Sequence, residues 1–208
     1  MPRVRVHQHV NPLAPYFRFT PKPLDLEKVF AKSNLPLHLD IGAARGRFLL
    51  KMAELTPGWN FLGVEIREPL VAEANRLARE KNLTNLHYEF NNATHSFDRL
   101  LEKLPQEILR FVTIQFPDPW YKKKHAKRRM VTDELVETIA RHLCSEEKVF
   151  VQTDVEFLAE EMFSLFRRSG KFHEAKTIEN PFSVKTEREQ AVENRNLPIY
   201  RRIFTKTK

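Results

Sequence analysis

The sequence predicts an α/β fold, a doubly wound and mostly parallel sheet closed by an antiparallel pair of strands. Three observations predict it. Short apolar runs with the length of buried strands recur along the chain. Segments with helical periodicity separate them, and this alternating order is typical of parallel sheets. The last two strand-like segments, Phe172 to Ile178 and Ile199 to Thr205, are expected to form the closing pair.

The individual elements follow from local patterns. Five further strands are predicted, at Leu37 to Ile41, Phe61 to Ile66, Leu86 to Phe90, Phe111 to Phe116 and Val149 to Gln152. Two helices are predicted from about Gly46 to Leu55 and from Pro69 to Lys81, where Pro69 suits a first helical turn. Thr132 is the expected N-cap of another helix. A later helix carries the apolar stripe Leu158, Met162, Leu165 and Phe166, and such stripes are assigned to the core.

The chain of 208 residues can hold one domain with a full core. We expect residues 25–208 to form that domain, with residues 1–24 as a basic, proline-containing N-terminal arm. The arm carries the cations Arg3, Arg5, Arg18 and Lys22. Because it also contains Tyr16, Phe17 and Phe19, we expect it to dock on the domain or on its ligand.

Composition limits the class of protein. Lys and Arg total 35 against 27 Asp and Glu, a formal charge of +8 that favours an anionic partner such as RNA, DNA or a phospholipid surface. The single cysteine, Cys144, excludes an internal disulfide and a cysteine-rich zinc site, and we expect no metal. It is predicted to lie late in a helix as a buried or half-buried thiol. No apolar run is long enough for a membrane span and no secretory signal is recognisable, so a soluble, cytoplasmic protein is expected.

Ligands of doubly wound sheets bind outside the carboxyl ends of the strands. The first predicted strand leads into a loop in which Gly42 and Gly46 permit a tight turn and leave room for a ligand. Glu65 ends the second strand, where a carboxylate can accept hydrogen bonds from both hydroxyls of a ribose. Asn92 follows the third strand, and its amide could read the edge of an adenine ring. Together these loops predict an adenosine-containing cofactor.

The segment from Phe116 to Arg129 is the most informative part of the chain. Asp118 lies between two prolines that restrict the backbone and fix the direction of its carboxylate. Trp120 could stack on a base or pack against the domain. Six of the nine residues from Tyr121 to Arg129 are Lys or Arg, which predicts contact with nucleic-acid phosphates. Asp154, after the fifth predicted strand, supplies a second acid on the same rim.

At these residues the chain resembles the bacterial tRNA (guanine-N7-)-methyltransferases, a branch of the class I S-adenosylmethionine-dependent methyltransferases with a Rossmann-like fold. The resemblance extends from about Leu37 to Arg202. It rests on Phe-Pro-Asp-Pro-Trp followed by basic residues, on Gln152-Thr153-Asp154, and on Lys185-Thr186-Glu187-Arg188. The chain departs from the family pattern at four positions, namely Asp40 for Glu, Ala44 for a glycine, Asn92 for Asp and Thr186 for an aromatic residue.

The resemblance implies methyl transfer from S-adenosyl-L-methionine to N7 of the guanosine at tRNA position 46, in the variable loop. It implies that Asp118 is catalytic and that Asp40, Glu65, Asn92 and Asp118 line the cofactor site. Substrate contacts are implied for Lys122, Asp154, Val184, Lys185, Thr186 and Glu187, and tRNA contacts for Lys124, His125, Ala126, Lys127, Arg128 and Arg129. A monomer and a homodimer both fit the sequence.

Two other functions remain open at this point. The first is methylation of an exocyclic amine of DNA or RNA, although enzymes of that kind usually carry two prolines after the acid or amide, where this chain has Asp118-Pro119-Trp120. The second is a non-catalytic RNA-binding module on the same fold. Retention of Glu65, Asp118 and Asp154 argues against the second.

Overall fold

The computed structural model describes residues 10–177 and 179–208. A seven-stranded sheet in the order β3-β2-β1-β4-β5-β7-β6 forms the centre of this part of the chain. The strands are β1 Leu37–Ile41, β2 Asn60–Glu65, β3 Leu86–Phe90, β4 Leu109–Gln115, β5 Lys148–Thr153, β6 Phe172–Lys176 and β7 Tyr200–Lys206.

Strands β1 to β5 pair in parallel, and β7 runs antiparallel to both β5 and β6. The predicted fold class and the closing antiparallel pair are therefore confirmed. The register places Asp40 of β1 beside Gly63 of β2 and Thr113 of β4. It also places Gln152 of β5 opposite Arg201 of β7. Gln115 of β4 links the two groups, because its Nε2 donates to Asp40 Oδ1 at 3.4 Å and its Oε1 accepts from Gln152 Nε2 at 2.8 Å.

Seven α-helices are assigned among the described residues: α1 Leu26–Val29, α2 Arg47–Leu55, α3 Glu68–Glu80, α4 Phe97–Leu101, α5 Asp133–His142, α6 Glu156–Arg168 and α7 Glu187–Glu193. The predicted N-cap is confirmed, since the Thr132 hydroxyl accepts a hydrogen bond of 3.2 Å from Leu135 N–H. Pro69 lies in the first turn of α3 as predicted. The short helices α1, α4 and α7 were not predicted, because four to seven residues give too little periodicity to recognise.

The prediction for Cys144 was partly wrong. Helix α5 ends at His142, and Leu143 already has extended backbone angles, so Cys144 lies in the turn after the helix. Its backbone N–H donates to Leu109 O at 3.0 Å, which ties this turn to the start of β4. The thiol is buried as predicted. Arg3, Arg5 and Ile178 lie outside the described residues.

The two faces of the sheet differ in chemistry. One face is apolar and packs against α1, α4, α5 and α6 in the larger core cluster. The other carries an apolar cluster under α2 and α3. Beside that cluster, the face buries polar groups that include His38, Asp40, Thr113 and Gln152. The Phe182 ring covers part of this polar area and stacks on the His38 ring, with 5.3 Å between ring centroids.

The described part of the N-terminal arm lies against the domain, near the end of β3. The Phe19 ring stacks on Phe90 with 5.1 Å between centroids. The Tyr16 hydroxyl donates to the Glu68 carboxylate at 2.8 Å. Leu24 N–H donates to Leu100 O at 2.9 Å. The aromatic residues of the arm thus anchor it on the domain, one of the two dockings that the sequence predicts.

Candidate active site

A cavity of about 780 Å³ opens at the carboxyl ends of the parallel strands. The loops after β1 to β5, the arm and the start of α7 all contribute to its lining. The predicted site residues that line it are Asp40, Gly42, Glu65, Asn92, Asp118, Arg128, Asp154, Thr186 and Glu187. The other predicted residues do not: Gly46, Lys122, Lys124, His125, Ala126, Lys127, Arg129, Val184 and Lys185.

The two glycines of the β1–α2 loop have different roles. Gly42 faces the cavity with φ +86°, a left-handed conformation that favours glycine. Gly46 also has positive φ, but a Cβ there would come within 2.6 Å of the Tyr88 ring. The buried Tyr88 hydroxyl donates to Gly46 O. Gly46 therefore makes room for a core tyrosine and does not line the cavity, and its predicted contact with a ligand stays a prediction.

Glu65 is buried at the end of β2 and accepts four hydrogen bonds. Its carboxylate oxygens accept from Ala44 N–H at 2.8 Å and from Arg67 N–H at 2.9 Å. The Arg67 guanidinium donates the other two, from Nε at 2.8 Å and from Nη2 at 3.1 Å. Since a carboxylate offers about four acceptor sites, a ribose diol must displace the guanidinium to reach Glu65.

Asp40 lies at the centre of a buried hydrogen-bonded chain. The Thr113 hydroxyl donates to Asp40 Oδ1 at 2.6 Å, and His38 Nε2 lies 3.1 Å from the same hydroxyl. Burial raises the pKa of Asp40 to about 6, although the hydrogen bonds from Thr113 and Gln115 act in the opposite direction. Burial lowers the pKa of His38 to about 3, so its ring is neutral at physiological pH. A neutral His38 can donate from Nε2 while Thr113 donates to Asp40.

Asn92 lines the cavity, but its amide holds the arm. Its Nδ2 donates to Pro12 O at 2.9 Å and to Phe17 O at 3.1 Å. Its Oδ1 accepts from the Thr94 backbone N–H at 3.0 Å and from the Thr94 hydroxyl at 2.8 Å. Both donors and both lone pairs of the amide are thus used. Reading an adenine edge with Asn92 would require these bonds to be exchanged.

The neighbouring Asn91 differs from Asn92 in its hydrogen bonding. It lines the cavity and only 1% of its surface is exposed, yet neither polar atom of its amide has a hydrogen-bond partner within the described residues. Buried amides without partners are costly and mark places where a ligand or water completes the bonding. Sequence reasoning selected Asn92 from this Asn-Asn pair, and a cofactor contact by Asn92 stays a prediction. The lack of a partner for the Asn91 amide could not be read from the sequence.

Asp118 is held at the rim by an unusual backbone. Phe116 and Trp120, two residues before and after it, have φ of +51° and +44°, which bulky residues rarely adopt. Burial lowers the pKa of the Arg67 guanidinium, but hydrogen bonding and charge from Glu65, together with the charge of Asp118, outweigh burial and raise it. Arg67 therefore lies within the electrostatic influence of both carboxylates, at the two sides of the cavity.

Helix α7 brings the late motif to the cavity. Its N-cap Thr186 accepts a hydrogen bond of 3.1 Å from Glu189 N–H. Glu187 pairs with Arg47 of α2, and Arg188 pairs with Asp154 after β5. The predicted substrate residues Glu187 and Asp154 are thus already in ion pairs. Lys185 pairs with Glu193 at 2.7 Å, outside the cavity.

Val184 lies below the cavity surface. It is buried in the apolar cluster formed by α2, α3 and β3. The resemblance implies a substrate contact for the segment from Val184 to Glu187, and at Val184 this contact stays a prediction.

We call residues Lys122 to Arg129 the basic segment. Most of it forms a 3-10 helix, Lys123–Arg128, where the sequence predicted no regular structure. The lysines of this helix are exposed, whereas Arg128 at its end and Arg129 directly after it are partly buried. Arg128 lies over the Trp120 ring, 5.0 Å from the centroid. Arg129 donates to Pro119 O at 3.0 Å and to Trp120 O at 3.3 Å, and pairs with Glu161. Arg129 thus supports the backbone that carries Asp118.

The family model described as "Putative methyltransferase" matches residues 34–202 of this chain. A tRNA (guanine-N(7)-)-methyltransferase of Trichormus variabilis is 52% identical over 208 residues, which cover 98% of this chain and 97% of that protein. The chain belongs to the tRNA (guanine-N(7)-)-methyltransferase family. A second member, from Synechococcus elongatus, is 52% identical over 98% of this chain and 97% of its own length.

Solved structures agree on the fold of this family member. The 16S rRNA methyltransferase KamB superposes with a TM-score of 0.61 at 13% identity, covering 88% of this chain and 92% of its own. The aminoglycoside resistance methyltransferase NpmB1 gives 0.57 at 16% identity, covering 84% and 89%. At these identities the comparison supports the class I methyltransferase fold and nothing finer.

The cavity fits the cofactor that this family implies, S-adenosyl-L-methionine. Asn91 lines the cavity, but both polar atoms of its amide are buried, so an adenine ring reaches them only if neighbouring residues move. Glu65 offers a buried carboxylate for a ribose, and Gly42 lets backbone approach a ligand closely. Within the described residues, no group of three or more acidic, histidine or cysteine side chains is arranged to hold a metal ion.

Proposed function

We propose that this protein transfers a methyl group from S-adenosyl-L-methionine to N7 of a guanosine in tRNA, at position 46 of the variable loop. The full-length identity to tRNA (guanine-N(7)-)-methyltransferases is the observation that carries the proposal. The cavity supports it, because Asp118 stands at the rim between a candidate adenosine site and the exposed lysines. A tRNA substrate makes the cytoplasm the expected compartment. The helices in the described part of the chain are all too short or too polar to cross a bilayer.

The bound cofactor would supply an electrophilic methyl group carried on a sulfonium. Glu65 would hold its ribose, the Asn91 and Asn92 loop would line the space for its adenine, and Gly42 would let the β1–α2 loop lie close to it. Asp40 lies in β1, two residues before Gly42, and its hydrogen bond from Thr113 of β4 fixes it to the sheet. Residues on three neighbouring strand ends would thereby fix the cofactor before tRNA arrives.

The acceptor atom determines what Asp118 must do. Guanine N7 has a lone pair in the ring plane and needs no deprotonation before it attacks a methyl carbon. Asp118 can accept hydrogen bonds from the guanine N1–H and 2-amino groups and so orient the base. Its negative charge also stabilises the positive charge that develops on the base. In this mechanism Asp118 positions guanine and is not an obligatory general base.

The deciding experiment is a methyl-transfer assay with labelled S-adenosyl-L-methionine and unmodified tRNA transcripts, followed by reduction and aniline cleavage. Strand scission at the variable-loop guanosine is expected. A transcript with adenosine at position 46 is the matched control and should incorporate no label. Incorporation without scission would point to another acceptor atom, as in the exocyclic-amine alternative. Cofactor binding without incorporation would contradict the tRNA substrate, and absence of both would favour an RNA-binding module.

A further inference from the structure

Two exposed aromatic rings lie side by side at the rim of the candidate active site. Tyr121 is 70% exposed and Phe157 is 42% exposed, and they are two of the five exposed large hydrophobic residues in the described part of the chain. Their ring centroids are 5.8 Å apart at an interplanar angle of 63°. Tyr121 lines the cavity, and Phe157 lies in the first turn of α6, three residues after the cavity-lining Asp154. We call these two rings the aromatic rim.

The Arg129 side chain holds the aromatic rim in place. Arg129 lies 5.0 Å from the Phe157 ring centroid, and the same guanidinium donates to Pro119 O and Trp120 O. The residues before Tyr121 and the first turn of α6 are thus fixed to one another. Such support lets exposed rings keep a fixed position without losing much conformational entropy on binding.

Trp120 is less suited to stacking than Tyr121. Arg128 lies over its ring at 5.0 Å, and the His125 ring meets it edge-on at 5.7 Å. One face of the Trp120 ring is therefore covered by Arg128, and His125 also packs against the ring. The stacking role that the sequence allowed for Trp120 is better filled by its exposed neighbour.

The residues around the aromatic rim indicate which class of partner it binds. Lys122, Lys123 and Lys124 follow Tyr121 directly, and all three are exposed. Rings flanked by exposed cations are typical of surfaces that bind single-stranded nucleic acid, where bases stack on the rings and phosphates meet the lysines. A folded protein partner would more commonly require a larger apolar patch.

We propose that Tyr121, supported by Phe157, is the stacking platform for an unpaired base next to the target guanosine. This inference rests on the proposed function, because it places the target base in the adjoining cavity beside Asp118. It assigns the aromatic rim to recognition of an opened, single-stranded region of tRNA. Double-stranded RNA keeps its bases stacked on one another and offers none to the platform.

A double-mutant cycle tests the platform. Binding of tRNA is measured for Tyr121→Ala, for the ring-retaining control Tyr121→Phe and for Phe157→Ala, with intact tRNA and with tRNA carrying an abasic nucleotide beside the target. Tyr121→Ala should weaken binding of intact tRNA about tenfold. Tyr121→Phe should bind nearly as well as the wild type. The Ala change and the abasic site should not be additive, because each removes the same contact.

Two readouts separate stacking from a structural role. The dependence of tRNA affinity on salt should be unchanged in Tyr121→Ala, since no phosphate contact is removed. Cofactor affinity should also be unchanged. The proposal would be overturned if the Tyr121→Ala loss and the abasic-site loss were additive for an abasic site on either side of the target. Equal binding by Tyr121→Ala and Tyr121→Phe would also overturn it. So would a homodimer that dissociates in Tyr121→Ala, because the rim would then be a contact between two copies.

Failure of the proposed function gives a different result. If the wild type binds tRNA without transferring methyl groups, the cycle still decides whether the platform exists. If the wild type binds neither tRNA nor a single-stranded RNA, the result contradicts both the platform and the proposed function.

Discussion

Arg67 binds Glu65 through both its backbone and its side chain. The guanidinium donates from Nε at 2.8 Å and from Nη2 at 3.1 Å, and the backbone N–H donates at 2.9 Å. The carboxylate that the sequence assigns to the cofactor ribose is therefore engaged by a cation two residues away. The charge of Asp118 also contributes to raising the pKa of Arg67. Cofactor binding is expected to release the guanidinium from Glu65 toward the Asp118 side of the cavity.

The first prediction concerns this exchange. Arg67→Ala should tighten S-adenosyl-L-methionine binding by roughly threefold to tenfold, because an ion pair no longer has to be broken. Glu65→Gln should weaken binding at least tenfold, because the ribose loses its charged acceptor. Isothermal titration calorimetry measures both. Weaker binding by Arg67→Ala, at unchanged thermal stability, would mean that Arg67 contacts the cofactor itself.

The second prediction follows from the raised pKa of Asp40, about 6. An unfolded aspartate titrates near pH 4. Because the unfolded chain releases this proton first, the stability that protonated Asp40 contributes is present below about pH 4 and is lost by about pH 6. Asp40→Asn does not titrate. Its free energy of unfolding relative to wild type should rise across this window by up to about 3 kcal/mol.

Urea unfolding from pH 4 to pH 7 measures this difference. His38 titrates in both proteins and cancels in the comparison. Its pKa, lowered to about 3, makes both proteins less stable as pH falls below about 6.5. A stability difference between Asp40→Asn and wild type that stays constant with pH would contradict the pKa assigned to Asp40.

The third prediction separates the cations of the basic segment. Changing Lys123, Lys124 and Lys127 to Ala should lower the salt slope of tRNA binding by roughly two to three units, because exposed lysines meet phosphates. Cofactor affinity should not change. Arg129→Ala should instead reduce both thermal stability and cofactor affinity, since Arg129 supports the Pro119 and Trp120 carbonyls. Loss of cofactor affinity in the lysine variant would assign that segment a structural role.

The fourth prediction concerns the buried pair between Arg201 of β7 and Glu189 of α7. Arg201 Nη2 donates to Glu189 at 2.8 Å, and Arg201 Nε donates to Gln152 Oε1 at 3.0 Å. Arg201→Met should lower the free energy of unfolding by about 3–5 kcal/mol, because it leaves a buried carboxylate without its cation. The double change of Glu189→Leu with Arg201→Met should cost less.

Arg202→Met is the matched control for this pair, since Arg202 is the next residue and binds the more exposed Glu174. It should cost no more than about 1 kcal/mol. Denaturant unfolding measures all three variants. Equal losses from Arg201→Met and Arg202→Met would show that burial of Glu189 has no energetic consequence.

The fifth prediction tests the role of Asp118. Asp118→Asn should lower kcat by about a hundredfold, because it removes the charge that stabilises the methylated base. The wild-type rate should be flat from about pH 6.5 to 8.5, as expected when no general base is required. Asp40→Asn serves as control for any change near pH 6 that originates in Asp40. A rate that rises with pH in the wild type and is flat in Asp118→Asn would favour a general base.

The sequence by itself determined the fold class, the strand that ends before Asp118 and the segments that meet at the sheet edge. These features follow from local periodicity and from parallel strand order, which places all βα loops at one end. The family also follows from local strings such as Phe-Pro-Asp-Pro-Trp, which need no tertiary information to recognise. The short helix α7 was beyond this reasoning, since its seven residues carry little periodicity.

Only the tertiary structure decided what each side chain touches. Gly46 serves Tyr88, which lies 42 residues away in sequence. The amide of Asn92 holds the arm, whereas the amide of Asn91 is buried without a partner among the described residues. The Arg129 side chain bonds the Pro119 carbonyl, although Arg129 lies in a run of cations. Hydrogen-bond partners depend on distances of a few tenths of an ångström between residues remote in sequence, and composition and periodicity carry no information at that scale.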